Sequence, residues 1–299
     1  MSFFEKILKQ NKICVTHDGT FHADDLFSTA TLSILNKGNI KIIRTRDSEI
    51  IKGADYVYDV GGIYDPSINR FDHHQKRGAG VRENGTPYAS FGLVWKTYGE
   101  QICGSKEVAE KIEERLVQSI DANDNGINLF EAKGEVAPYT LQDILFCFRP
   151  SWKEKQDYDN AFMDLVPIAI KIITREIIKN RDELEADSFV KKAYEEAEDK
   201  RIIILDGNYP WGETVDKYKE ILYIVTTKNK LWRVEAARKE KYNFETRKPF
   251  PESWAGKRDG ELISITGVAD AVFCHNGRFL VVAKSKEAAI ELAQKALIA

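Results

Sequence analysis

The sequence predicts an α/β fold in two parts. The first, over residues 1–195, is a doubly wound, mostly parallel sheet with a helical connector; the second, over residues 196–299, is a smaller α/β domain. Three observations carry this reading. Short apolar, β-branched runs alternate with helix-period segments through the first half. A length of 299 residues suits about two domains. Between the two patterns stands a long helical zone, heavily charged over residues 180–201, which reads as a solvated connector.

Lys12–Thr16 is a strand by its apolar, β-branched run, and residues 23–36 follow as a helix with Leu26, Phe27, Ala30 and Ile34 at helical spacing. Ile40–Arg44 and residues 55–60 are further strands, the second running into Gly61-Gly62. Residues 86–98 and 106–120 read as helices. Such β-α-β alternation implies parallel strands with crossover helices. The zone 159–198 is apolar at Phe162, Leu165, Ile168, Ile172 and Ile173, and Pro167 predicts a break or kink in it. Beyond it, residues 202–205, 221–226, 232–236, 271–274 and 278–283 are short strands, closed by a helix over 285–297.

Hydrophobic content of 43% against 30% charged is that of a globular chain able to bury a core without staples. A net charge of −3 argues against a broad electrostatic footprint for duplex DNA or an anionic membrane. A local nucleic-acid groove stays open, because bound divalent cations would turn an acidic site electropositive. Cys14, Cys103, Cys147 and Cys274 are widely spaced, so a zinc knuckle and a disulfide framework are not expected and a reducing cytosol is. Met1–Gln10 is too short and mixed for a leader, and no stretch has the apolar length of a membrane span. A cytoplasmic protein without a membrane partner is the expectation.

Four of the five histidines lie in two acidic motifs, His17-Asp18-Gly19-Thr20-Phe21-His22-Ala23-Asp24-Asp25 and Phe71-Asp72-His73-His74-Gln75. Imidazole and carboxylate together form the ligand set of a divalent hydrolytic centre. Asp24 and Asp25 would also complement a helix dipole, which accounts for the carboxylates and not for two histidines around a Gly-Thr turn. Asp59 closes an apolar strand before a glycine pair, as a ligand or as a turn former. Adjacent histidines on an extended segment point to opposite faces, so one of His73 and His74 can bind metal while the other meets substrate. Asp121 lies inside a helix, whereas Asp124-Asn125-Gly126 reads as the helix C-cap and turn.

This set resembles the DHH superfamily of phosphoesterases, whose pattern is His…Asp-x-Asp, a lone Asp ending a strand, Asp-His-His and a later Asp. More closely, the chain resembles the melanocyte-proliferating-gene family, a branch once described as metal-dependent protein hydrolases. The resemblance rests on residues 16–24, Arg44-Thr45-Arg46-Asp47, Asp59-Val60-Gly61-Gly62, residues 72–75 and residues 121–126. It continues through Pro210-Trp211, residues 250–259 and Ile265-Thr266-Gly267-Val268, and so covers nearly the whole chain. It implies a DHH-type first domain with one metal held by His17, His22 and Asp59, and a second by Asp24, Asp59, His73 and Asp121. Asp59 bridges the pair and His74 faces the scissile phosphate as donor or acid.

Arg44, Arg46, Lys76 and Arg77 are candidate phosphate contacts, each equally readable as surface charge. Two departures from the superfamily pattern stand out. His22 replaces an Asp, which shifts preference from Mg²⁺ toward Mn²⁺ or Zn²⁺. The stretch 277–284 lacks the usual Gly-Gly-His, leaving His275 as a candidate substrate contact. The implied activity is a phosphodiesterase with two divalent ions, Mn²⁺ by preference, acting as an exonuclease on short RNA or single strands. Trp211, Trp232, Tyr242, Phe244 and Trp254 are stacking candidates or, more in keeping with burial habits, core. Rival readings are a small-phosphate hydrolase acting on pyrophosphate or a cyclic dinucleotide, a protein hydrolase (without any HExxH), and a non-catalytic metal scaffold. A homo-oligomer is compatible with all of them.

Overall fold

The computed structural model describes residues 11–131, 134–240 and 244–299, so Met1–Gln10 and Tyr242 lie outside the described residues. The chain divides into two compact units, Met1–Asn180 and Arg181–Ala299, and the division falls inside a long helix, ahead of the expected boundary at residue 195.

In the first unit, β1 (Lys12–Thr16) leads through α1 (Ala23–Leu35) to β2 (Ile40–Arg44), then through α2 (Ser48–Gly53) to β3 (Tyr56–Tyr58). The short strands β4 (Tyr64–Asp65) and β5 (Arg70–Phe71) complete a sheet ordered β2-β1-β3-β5-β4. All neighbours are parallel except β4 against β5. Residues of β1 and β3 alternate between two buried faces, as the period of a strand requires. Cys14, Tyr56 and Tyr58 pack with Leu32, Leu93 and Val94 on one face, and Val15 and Val57 pack with Ala54 on the other. The buried Tyr58 hydroxyl is satisfied by Thr29 Oγ1 at 2.6 Å.

The chain goes on through α3 (Ser90–Cys103) and α4 (Lys106–Ile112). A π-helical turn over Glu113–Val117 joins α4 to α5 (Gln118–Asp124). A short α6 (Leu141–Phe146) precedes α7 (Tyr158–Glu196). No break occurs at Pro167: α7 is one helix of 39 residues. Pro167 and Met163 both lie on its exposed side, so the carbonyl deprived of its donor is accessible to water.

The second unit holds β6 (Ile202–Ile204), α8 (Gly212–Lys217), β7 (Tyr223–Lys228), β8 (Leu231–Ala236), α9 (Asp259–Thr266), β9 (Ala271–Cys274), β10 (Leu280–Ala283) and α10 (Lys286–Ile298). Its sheet is ordered β6-β7-β8-β10-β9, and only the β6–β7 pair is parallel. The strands fall where the sequence places them. Alanines 288, 289, 293 and 296 of α10 are buried and let the helix lie close to the sheet. Trp254 is core, Trp211 and Trp232 pack against core clusters, and Phe244 alone of the described stacking candidates is largely exposed. Among the described residues no helix is long and apolar enough to cross a membrane.

Candidate metal centre

Parallel pairing makes β1, β3 and β5 end at one edge of the sheet, and each strand is followed there by site residues. The crevice outside the carboxyl ends, where β1 sends the chain to opposite sides, is where open α/β sheets place ligands. His17 leaves β1 into a turn at Gly19, whose φ of +80° needs no Cβ. Its Nδ1 lies 2.9 Å from the Asp18 carbonyl oxygen, an acceptor only, so Nδ1 holds the proton of the neutral ring. Nε2 then faces Asp59 Oδ2 at 3.2 Å and Asp25 Oδ2 at 3.5 Å.

His22 precedes α1 and donates its backbone N–H to Asp25 Oδ1 at 2.8 Å. Asp24 is fully buried and caps α3 from outside, accepting Ser90 N at 3.1 Å and Phe91 N at 2.6 Å. Asp59 follows β3 in the left-handed region at φ +57°, a conformation that Asp tolerates better than most residues. Its Oδ1 lies 3.3 Å from His73 Nε2, so one carboxylate reaches both histidines.

Asp72 orients His74. It accepts Gly62 N at 2.5 Å, and His74 N and Nδ1 at 3.1 and 2.8 Å. That turn overrides the extended geometry expected of adjacent histidines. Their rings lie 4.3 Å apart and both reach Asp59, with His73 buried and His74 exposed. His73 Nε2 is also 3.2 Å from Asp124 Oδ2. Three overlapping donor sets result, each with ligand atoms within 4.8 Å of one another: His17, His22, Asp59; Asp59, His73, His74; and Asp24, His73, Asp124.

The electrostatics are set by burial of carboxylates and imidazoles against one another. Burial works against a charged His17, yet the hydrogen bond to Asp59 and the fields of Asp25 and Asp59 raise it to about 9. Burial likewise opposes His73, and hydrogen bonds to Asp124 and Asp59 outweigh it, raising the ring to about 11. Burial, then the field of Asp59, pushes Asp25 up to about 7, and burial with Asp124 and Asp59 pushes Asp24 well up. Burial would raise Asp59 too, but its hydrogen bonds to His17 and His73 bring it below the usual carboxylate range. Asp25 Oδ2 is buried with no hydrogen bond, and Asp59 Oδ1 and His73 Nε2, also buried, face each other at 3.3 Å in a contact too poorly aligned to satisfy either. Carboxylate and imidazole donors orphaned in one spot fit a divalent cation.

The structure does not bring Asp121 into the donor cluster. It is fully buried, paired with Arg82 Nη2 at 2.7 Å and accepting Gly92 N at 3.0 Å. Asp124, expected only as a helix end, is the α5 carboxylate that faces His73. The two are three residues apart on α5 and share a helix face, so spacing alone could not choose between them. Arg44 is also not free for phosphate. Its side chain is 3% exposed, bound to Asp159 at 2.6 Å and Gly19 O at 2.8 Å, and it lies over Phe162.

Arg46 lines a cleft of about 1000 Å³ together with Lys52, Thr20, His17, His22, Asp59, His74 and Asp124. Lys76 and Arg77 are exposed on the loop after His74. His275 belongs to the second unit, where its Nδ1 accepts Gly277 N at 2.9 Å in the β9–β10 turn. Sequence reasoning missed Asp124, Lys52, and Gln142 and Phe146 of α6, which form part of the cleft wall. Gln142 is tied to the first motif through Ala23 N at 3.2 Å, a contact across 119 residues that no local pattern announces.

The model of an uncharacterised protein family (UPF0160, MYG1_exonuc) matches residues 12–297. A MYG1 protein of Schizosaccharomyces pombe is 30% identical over 94% of this chain and 96% of its own length. The MYG1 exonuclease of Bos taurus is 32% identical over 94% of this chain and 84% of its own, and a MYG1 protein of Chlamydia muridarum is 31% identical over 92% and 93%. Among solved structures, RecJ of Thermus thermophilus in complex with Mg²⁺ matches at a TM-score of 0.28 and 10% identity, covering 98% of this chain and 50% of that one, too loosely to carry an argument. The match of the family model along nearly the whole chain, with relatives 30% and 32% identical over 94% of it, makes the protein a member of the MYG1 family.

Proposed function

We propose that this chain is a metal-dependent phosphodiesterase, an exonuclease acting on short RNA or other single strands with two divalent ions, Mn²⁺ by preference. The observation that carries the reading is the overlap of donor sets through Asp59 and His73, with His17, His22, Asp59 and Asp124 lining a cleft of about 1000 Å³. The relatives named as exonucleases support it. His17, His22 and Asp59 hold one cation; Asp24, Asp59, His73 and Asp124 hold the other. Bound divalent ions supply Lewis acidity and a water acidic enough to act as nucleophile at neutral pH.

The chain's own residues do the rest. His74 Nδ1 is committed to Asp72, which leaves Nε2 to donate to a phosphoryl or leaving oxygen. The same hydrogen bond to Asp72 raises His74 above the usual range, which suits a general acid. Arg46, paired with Asp18, and Lys52, paired with Glu49 at 2.7 Å, are exposed on the cleft wall and would exchange those surface partners for substrate phosphates. The four cysteines form no disulfide and three of them are buried, which suits a reducing cytosol. The test is digestion of a 5′-labelled short RNA by purified protein with Mn²⁺. A stepwise ladder that Asp59→Ala abolishes supports the reading. Intact RNA, or a ladder that survives in that variant, overturns it.

A further inference from the structure

Asp25 is the buried carboxylate that no part of the assignment above uses. It lies in the first turn of α1 and is fully buried. Its Oδ1 is committed to the His22 backbone N–H at 2.8 Å. Its Oδ2 has no hydrogen-bond partner. The nearest cationic side chain, Arg44, is 4.0 Å away and spends its guanidinium on Asp159 and the Gly19 carbonyl at 2.6 and 2.8 Å. What Asp25 Oδ2 does face is His17 Nε2 at 3.5 Å, the nitrogen left with a lone pair once Nδ1 donates to Asp18 O. In the metal-free protein a proton on that nitrogen meets the two buried carboxylates, Asp25 and Asp59; once the ring is neutral its lone pair and both carboxylates converge as donors on a position a divalent cation can take.

Charge points the same way. His17, His22 and Asp59 supply a single negative charge against a divalent ion, and a hard cation prefers more. We propose that Asp25 Oδ2 is a fourth protein donor to the cation held by His17, His22 and Asp59, supplying the negative charge that a histidine at position 22 does not. This rests on the metal centre proposed above. In helix terms it explains why two consecutive aspartates open α1: Asp24 turns toward α3 and the second cation, and Asp25 toward β1 and the first.

The test counts bound metal rather than turnover. Wild-type protein and Asp25→Asn are titrated with Mn²⁺, free ion being read by electron paramagnetic resonance. Two ions are expected on the wild type. Asp25→Asn should keep one at wild-type affinity and bind the other about 10- to 100-fold more weakly, the loss typical when a metal site's support is removed. A second variant, Asp25→Cys, is smaller than the native side chain and is loaded with Co²⁺. A thiolate-to-cobalt charge-transfer band, absent from the wild type, reports direct coordination. Unchanged affinity for both ions in Asp25→Asn, or Asp25→Cys holding two Co²⁺ without that band, overturns the role of Asp25 alone. A wild type that binds no divalent ion overturns the metal centre itself, and this proposal with it.

Discussion

At the scale of single residues, Asp59 does two jobs that a substitution can separate. Its left-handed backbone is one that Asn also adopts readily, so Asp59→Asn should fold while losing the charge shared by both donor sets. Activity should fall by at least the 10²- to 10³-fold order that loss of one electrostatic stabiliser costs. Near-normal turnover in that variant would contradict the assignment. His74→Ala should instead keep both metals and lose about 10²–10⁴ in turnover, the usual worth of general acid–base catalysis. Loss of metal there would mean that His74 is a ligand. The histidines also set a pH dependence. In the metal-free protein His17 and His73 rise from 6.5 to about 9 and about 11, so both carry protons near neutrality. Their imidazolium–carboxylate contacts stabilise the metal-free fold fully below 6.5 and are lost as pH climbs through about 9 for His17 and about 11 for His73. Metal ligation needs neutral rings, so loading expels protons and Mn²⁺ affinity should rise between about pH 6.5 and 8.5. Calorimetric affinities that stay flat across that window would count against the histidines as ligands.

The elements show how far the sequence could be read. Strands β1 and β2 stand where their β-branched runs place them: Cys14, Val15 and Thr16 of β1 are buried on both faces, and β2 is a half-buried edge strand whose β-branched run pairs parallel with it. Asp59, His73 and His17 meet because parallel strands share an edge, which the β-α-β alternation implied. Asp124 was hidden because α5 presents Asp121 and Asp124 on the same face, and the π-turn ahead of it shifts the helical phase. Their roles separate by substitution. Asp124→Asn should weaken one metal position and cost the metal-free protein only its share of the His73 contact, less than Asp121→Asn costs. Asp121→Asn breaks a buried pair with Arg82 and should cost stability toward the lower end of about 3–5 kcal/mol, since Glu113 still holds Arg82 at 2.5 Å. Denaturant midpoints and metal counts on the two variants check this, and the reverse pattern would restore Asp121 as the ligand. A glycine makes the same point about packing. A Cβ at Gly92 would overlap Asp121 Oδ2, so Gly92→Ala should destabilise by about 1–3 kcal/mol through overpacking, read in the same denaturation experiment.

On the scale of the whole molecule, the chain joins an α/β unit that carries the candidate metal donors found among the described residues to a second unit with a mostly antiparallel sheet. The cleft over the donors draws on β-strand ends, α2 and α6 of the first unit. The central claim is that two cations share Asp59 at that sheet edge. Anomalous diffraction from crystals soaked in Mn²⁺ tests it most directly. The account predicts two peaks, one among His17, His22 and Asp59 and one among Asp24, Asp59, His73 and Asp124. A single peak, or peaks away from Asp59, would contradict it.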